Sequence, residues 1–81
     1  MITQLKLLKD SGQPTYDRII RGKTNINVLD VGCNNGSLII DRLGGKTGID
    51  KIIGLEYNEK AVEHANSLYG NDNNKFYVCD I

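Results

Sequence analysis

Three acids and one glycine-bearing turn hold the chemistry this sequence could perform. Asp30 closes a short apolar run and leads into Val31-Gly32-Cys33-Asn34-Asn35-Gly36. Glu56 closes a second run and is followed by Tyr57, and Asp80 closes a third and is followed by Ile81. A carboxylate accepts hydrogen bonds and donates none, so each acid seeks a donor. An isolated acid at the end of a strand is usually solvated. Three converging on one edge would make a donor-seeking site, suited to ribose hydroxyls, an amino group and an adenine amine.

The elements that must position these residues are legible in the apolar spacing. Ile26 to Val31, Lys51 to Glu56 and Lys75 to Cys79 are short, β-branched or apolar runs that read as strands. Between them, Ser37 to Leu43 reads as a helix closed by Gly44-Gly45. Asn58 caps a longer helix with Glu59 in its first turn and Gly70 at its end. Its buried stripe is expected to be Ala61, Val62, Ala65, Leu68 and Tyr69. Ahead of the first strand, Ile2 to Lys9 has a partial helical stripe. A second short helix begins at Pro14, with Tyr16, Ile19 and Ile20 on one face and Gly22 as its stop. That face is either ordinary core or the roof of a binding site. The order is helix, helix, then β-α-β-α-β, which predicts a Rossmann-like α/β three-layer sandwich with a partial parallel sheet. Ligands of such sheets bind beyond the carboxyl ends of the strands, where the three acids stand.

Length and charge set the outer limits. A chain of 81 residues is one small domain or part of one, and buries only about 60–65% of the surface its unfolded form exposes. Ten basic and ten acidic residues balance to zero formal charge, which gives no electrostatic case for nucleic acid or an anionic membrane. No apolar run approaches the roughly 20 residues that span a bilayer, and the first residues lack the apolar core of a signal peptide. Cys33 and Cys79 have no His or Cys beside them, so neither a disulfide framework nor a zinc site is expected. Two reduced thiols fit a cytoplasmic protein.

The turn after Asp30 can be tested against two templates. A nicotinamide-binding Gly-x-Gly-x-x-Gly loop aligned on Gly32 would need glycine at positions 34 and 37, where Asn34 and Ser37 stand. An acid-x-Gly-x-Gly-x-Gly pattern is met by Asp30, Gly32 and Gly36 and missed only at Asn34, a residue type that tolerates left-handed φ. Val28-Leu29-Asp30-Val31-Gly32-Cys33-Asn34-Asn35-Gly36-Ser37 resembles the first motif of class I S-adenosylmethionine-dependent methyltransferases. Ile53 to Asn58 resembles the second motif and Phe76 to Ile81 the third, in the family's order, over about residues 25–81.

The resemblance implies S-adenosylmethionine as cofactor and a role for each matching residue. Gly32 and Gly36, with Cys33 and Asn34 between them, would line the methionine portion, and Asp30 would orient the loop and face the amino group. Glu56 would accept both ribose hydroxyls, Tyr57 would pack on adenine, and Asp80 would take the adenine amine with Ile81 on the ring face. It also implies a larger sheet, with the first strand central and the acceptor pocket on later strands. On that reading residues 1–24 are an N-terminal helical segment and residues 25–81 the cofactor-binding half of a truncated methyltransferase domain. By itself this piece would bind cofactor weakly and turn nothing over. The methyl acceptor is not identified by the sequence, and no residue is a candidate catalytic base. The apolar edge of Ile26 to Val31 would be a template for self-association.

Other signals carry less. Gly45-Lys46-Thr47 suggests a phosphate-binding loop, yet Ile40 stands where that motif needs glycine. Asn35-Gly36-Ser37 matches a glycosylation acceptor, but a cytosolic chain does not meet the enzyme, and Asn35-Gly36 is also compatible with a hairpin turn. His64 lies off the apolar stripe and reads as a surface residue. Two further classes remain open, an NAD-dependent oxidoreductase fragment and a non-enzymatic Rossmann-like binding module.

Overall fold

In the structure, a computed structural model that describes residues 12–80, the chain alternates helix and strand. Helix α1 (Gln13–Ile20) leads into β1 (Ile26–Val31), α2 (Ser37–Leu43), β2 (Ile49–Glu56), α3 (Glu59–Tyr69) and β3 (Asn74–Val78). The expected helix over Ile2 to Lys9 lies outside the described residues. Pro14 falls in the first turn of α1, where its missing N–H has no intrahelical partner to lose. The α2 helix is closed by the Gly44 N–H on the Ile40 carbonyl at 2.8 Å. Asn58 caps α3, its Oδ1 accepting from the Ala61 N–H at 3.1 Å, so that helix begins where its sequence predicts.

The three strands form one parallel sheet in the order β1-β2-β3. Residues at one level of a parallel sheet share a face, and the register aligns Asp30 with Gly54 and Gly54 with Phe76. Val28, Asp30, Ile52, Gly54, Glu56 and Phe76 therefore point to one side, and all are buried. Right-handed crossovers in a sheet that grows in one direction lay α2 and α3 on that same side. There Ile39 and Leu43 of α2, Val62 and Ala65 of α3 and Tyr16 of α1 complete the core over Val28, Ile52 and Phe76. Of the three layers expected, the described residues form the sheet and one helical layer. On the opposite face Leu29, Ile53 and Leu55 are half-buried and Tyr77 is exposed. None of the described helices is long and apolar enough to cross a membrane.

Two expectations need correction. Leu68 is 58% exposed and does not join the α3 stripe, in which Val62 and Ala65 are buried and Tyr69 packs in part against the core. Ile19 is 40% exposed, so only Tyr16 and, in part, Ile20 supply the inner face of α1. The asparagine-rich turn before β3 is not slack chain. Asn71 Oδ1 accepts from the N–H groups of Asn73 and Asn74, both at 2.8 Å, and the Asn73 amide donates to the Asp50 carbonyl at 3.0 Å.

Candidate functional site

The loop after β1 is tied to the end of β2 by its own backbone. Gly32 and Cys33 both donate to the Leu55 carbonyl, at 2.7 and 3.1 Å, and the Gly36 N–H closes a turn onto the Cys33 carbonyl at 3.0 Å. Two residues of this loop have left-handed φ that its bends require, Gly32 at +74° and Gly36 at +80°, and Asn34 joins them at +55°. Asparagine is the residue type, after glycine, that adopts this conformation most readily.

Glu56 sits where the loop meets the strand end. Its Oε1 accepts the Asn34 N–H and its Oε2 the Asn58 N–H, both at 3.0 Å. A carboxylate offers about four lone-pair directions, so one bond on each oxygen leaves acceptor capacity on both. The residue is 8% exposed and fixed in orientation from two sides. A donor pair on a ligand would meet an acceptor already in place, with little side-chain entropy left to lose.

The other acids stand on the same end of the sheet at stepped heights. Asp30 is level with Gly54 and Phe76, Glu56 lies two residues further along β2, and Asp80 follows the end of β3. At a rise of about 3.3 Å per residue, Glu56 stands roughly 7 Å beyond the level of Asp30. Asp30 is 1% exposed on the helix-covered face, whereas Asp80 is exposed. Tyr57, directly after Glu56, is 74% exposed and presents an aromatic ring at that edge. Ile81 lies outside the described residues.

The glycines and the cysteine divide the loop into an outer and an inner part. A Cβ built on Gly32 would meet nothing within 4 Å, so the backbone there borders open space. At Gly36 it would lie 2.8 Å from Phe76 Cε1 and 3.3 Å from the Ala65 Cβ. Gly36 therefore makes room for the protein's own core, and the open backbone surface of the loop is at Gly32. Cys33 is 4% exposed and its side chain belongs to the core, with the thiol donating to the Asn34 carbonyl at 3.5 Å. Only its backbone is left to face a ligand. His64 is exposed on α3.

Sequence reasoning missed two residues that hold this arrangement. Asn58 was legible as a helix cap, but nothing in the sequence showed that its N–H also fixes Glu56. Asn66, on α3, carries no signal in the sequence that singles it out. Its amide donates to the Phe76 carbonyl at 2.9 Å and accepts the Phe76 N–H at 3.1 Å, which clamps α3 to β3.

No family model and no curated protein matches this sequence. Solved structures do match. A chain of the complex between the Haloferax volcanii Trm112 methyltransferase activator and a putative methyltransferase is similar at a TM-score of 0.62 and 22% identity, over 96% of this chain and 35% of that one. A protein-L-isoaspartate O-methyltransferase is similar at a TM-score of 0.57 and 22% identity, over 84% of this chain and 22% of that one. The chain has a class I methyltransferase-like fold. The MccD protein shares that likeness at a TM-score of 0.62 and 28% identity, over 83% of this chain and 32% of its own. The methyltransferase-like region described above thus spans 22% to 35% of the length of these three structures.

Proposed function

We propose that this chain is the S-adenosylmethionine-binding part of a methyltransferase. The observation that carries the reading is Glu56, held on both oxygens by backbone N–H groups at the end of β2, between the Gly32 loop and exposed Tyr57. The surroundings fit an adenosyl ligand. Glu56 keeps acceptor capacity for two ribose hydroxyls, Tyr57 offers an aromatic face, and the missing Cβ of Gly32 leaves the loop backbone open to close approach. Exposed Asp80, after the end of β3, would accept an adenine amine, with Ile81 following it, and buried Asp30 would orient the loop.

When bound, S-adenosylmethionine supplies a sulfonium methyl group for transfer to a nucleophile. This chain's own part is positioning. Glu56, Tyr57 and Asp80 would fix the nucleoside end, and the Gly32–Asn34 backbone the amino-acid end. Such catalysis depends on alignment, and a misplacement of about 1 Å can slow it roughly 10²-fold. The acceptor, and the group that removes its proton, belong to the whole enzyme. Free Cys33 and Cys79 support a reducing, cytoplasmic setting.

Isothermal titration of the chain with S-adenosylhomocysteine tests the reading, with NADH as the competing ligand. Binding of the first that is abolished by Glu56→Gln supports it. Binding of NADH alone would transfer the site to an oxidoreductase, and binding of neither ligand would reject a nucleoside site.

A further inference from the structure

The loop after β1 carries a reactivity of its own, apart from any ligand. Of the nine asparagines in the chain, Asn35 is the one followed by glycine. The carboxamide carbon of an asparagine is open to attack by the backbone nitrogen of the next residue, and a glycine there has no Cβ to obstruct the approach. The fold sets the side chain for this attack. Asn35 Oδ1 accepts the Ser37 N–H at 3.0 Å, so the carboxamide lies back over its own following peptide unit, on the side of the Gly36 nitrogen. The Ser37 N–H also faces the oxygen on which negative charge gathers as the nitrogen adds.

A second bond acts as a brake. The Gly36 N–H donates to the Cys33 carbonyl at 3.0 Å, which holds the proton on the nitrogen that must lose it. Gly36 is also buried, with the Phe76 ring 2.8 Å from where a Cβ would stand. The reaction therefore needs this turn to open, a local event that costs less than unfolding the whole chain.

We propose that Asn35 is a site of spontaneous deamidation, gated by opening of the Cys33–Gly36 turn. The Gly36 amide gives its proton to water or hydroxide, and its nitrogen bonds to Asn35 Cγ. The bond from Cγ to the side-chain nitrogen breaks, and that nitrogen leaves as ammonia after taking a proton from water. One water molecule then opens the cyclic imide. Attack at the side-chain carbonyl gives an aspartyl residue, and attack at the main-chain carbonyl gives an isoaspartyl residue. Nothing is oxidised or reduced. The two products differ in what they do to the loop. An aspartyl carboxylate still accepts the Ser37 N–H, whereas an isoaspartyl residue runs the chain through its Cβ and lengthens the backbone by one atom. The loop is held on both sides, by Gly32 and Cys33 on the Leu55 carbonyl and by Gly36 against Phe76. The added atom must displace the residues between them, so the Asn34 N–H loses Glu56. This inference is independent of the ligand reading.

Incubation of the 81-residue chain at mildly alkaline pH, followed by isoelectric focusing and peptide mapping by mass spectrometry, tests it. A form with one added negative charge should grow, with the change mapped to Asn35 and both products present. In urea the brake is released, and conversion should be at least about tenfold faster than in the folded chain. Gly36→Ala, compared with the unaltered chain in urea where folding plays no part, should slow conversion because the new Cβ crowds the nitrogen. Hydrogen exchange on the separated products should show the Asn34 amide protected in the aspartyl form and unprotected in the isoaspartyl form. No conversion at Asn35, an acidic form that maps to other asparagines, or equal rates in urea and in the folded chain would each overturn the proposal. Equal protection of Asn34 in the two products would overturn the account of the loop.

Discussion

Gly36 and Gly32 share a backbone conformation and differ in what surrounds them, so one methyl group added to each separates packing from ligand access. Both have strongly positive φ, +80° and +74°, and an alanine there costs about 1–2 kcal/mol for the left-handed backbone alone. At Gly32 nothing more is added, because the new Cβ points into open space. At Gly36 it would lie 2.8 and 3.1 Å from two atoms of the Phe76 ring. The ring cannot readily retreat, since it is 3% exposed and also packs over Gly54, where a Cβ would lie 2.6 Å from Cδ1. Overpacking of this kind adds about 1–3 kcal/mol. The expected losses of stability are thus about 1–2 kcal/mol for Gly32→Ala and about 2–5 for Gly36→Ala. Urea unfolding followed by circular dichroism measures both, and Phe76→Leu in the Gly36→Ala background should recover part of the loss. Ligand affinity should follow the reverse order, with Gly32→Ala weakening S-adenosylhomocysteine more than Gly36→Ala does under conditions where both are folded. Equal destabilisation of the two variants, or no coupling between positions 36 and 76, would refute the reasoning.

Further expectations rest on single contacts. Glu56→Gln puts an amide NH₂ against one of the two backbone donors now held by the carboxylate. It should cost about 1–3 kcal/mol by thermal unfolding and, separately, remove nucleoside binding in calorimetry. Asn58→Ala removes the cap on the Ala61 N–H and should lower stability by about 1 kcal/mol, measured by denaturant midpoint. Leu68→Lys, at a position 58% exposed, should change stability by no more than about 0.5 kcal/mol, and a larger loss would show that Leu68 is covered in solution.

The fold was legible because each element carries its own period. The β-branched runs, the Asn58 cap and the glycines after α2 and α3 are local signals, and the elements appear within two residues of where those signals put them. The stepped acids were legible for the same reason, since topology alone brings strand ends to one edge. Leu68 was misread because helical spacing fixes an angle and not what lies opposite, and the apolar residues that α3 buries are Val62 and Ala65. The different roles of Gly32 and Gly36 were invisible, as a glycine does not announce whether its vacant side faces a ring or open space. Asn66 and the second bond of Asn58 depend on tertiary approach between distant segments, which no spacing encodes.

The account's central claim concerns the edge where Glu56 meets the Gly32 loop, and amide chemical shifts read that edge directly. On titration of the labelled chain with S-adenosylmethionine, the amides of Gly32, Asn34, Tyr57 and Asn58 should shift together and saturate, and in Glu56→Gln they should stay still. Shifts confined to another surface, or none at millimolar cofactor, would contradict the account.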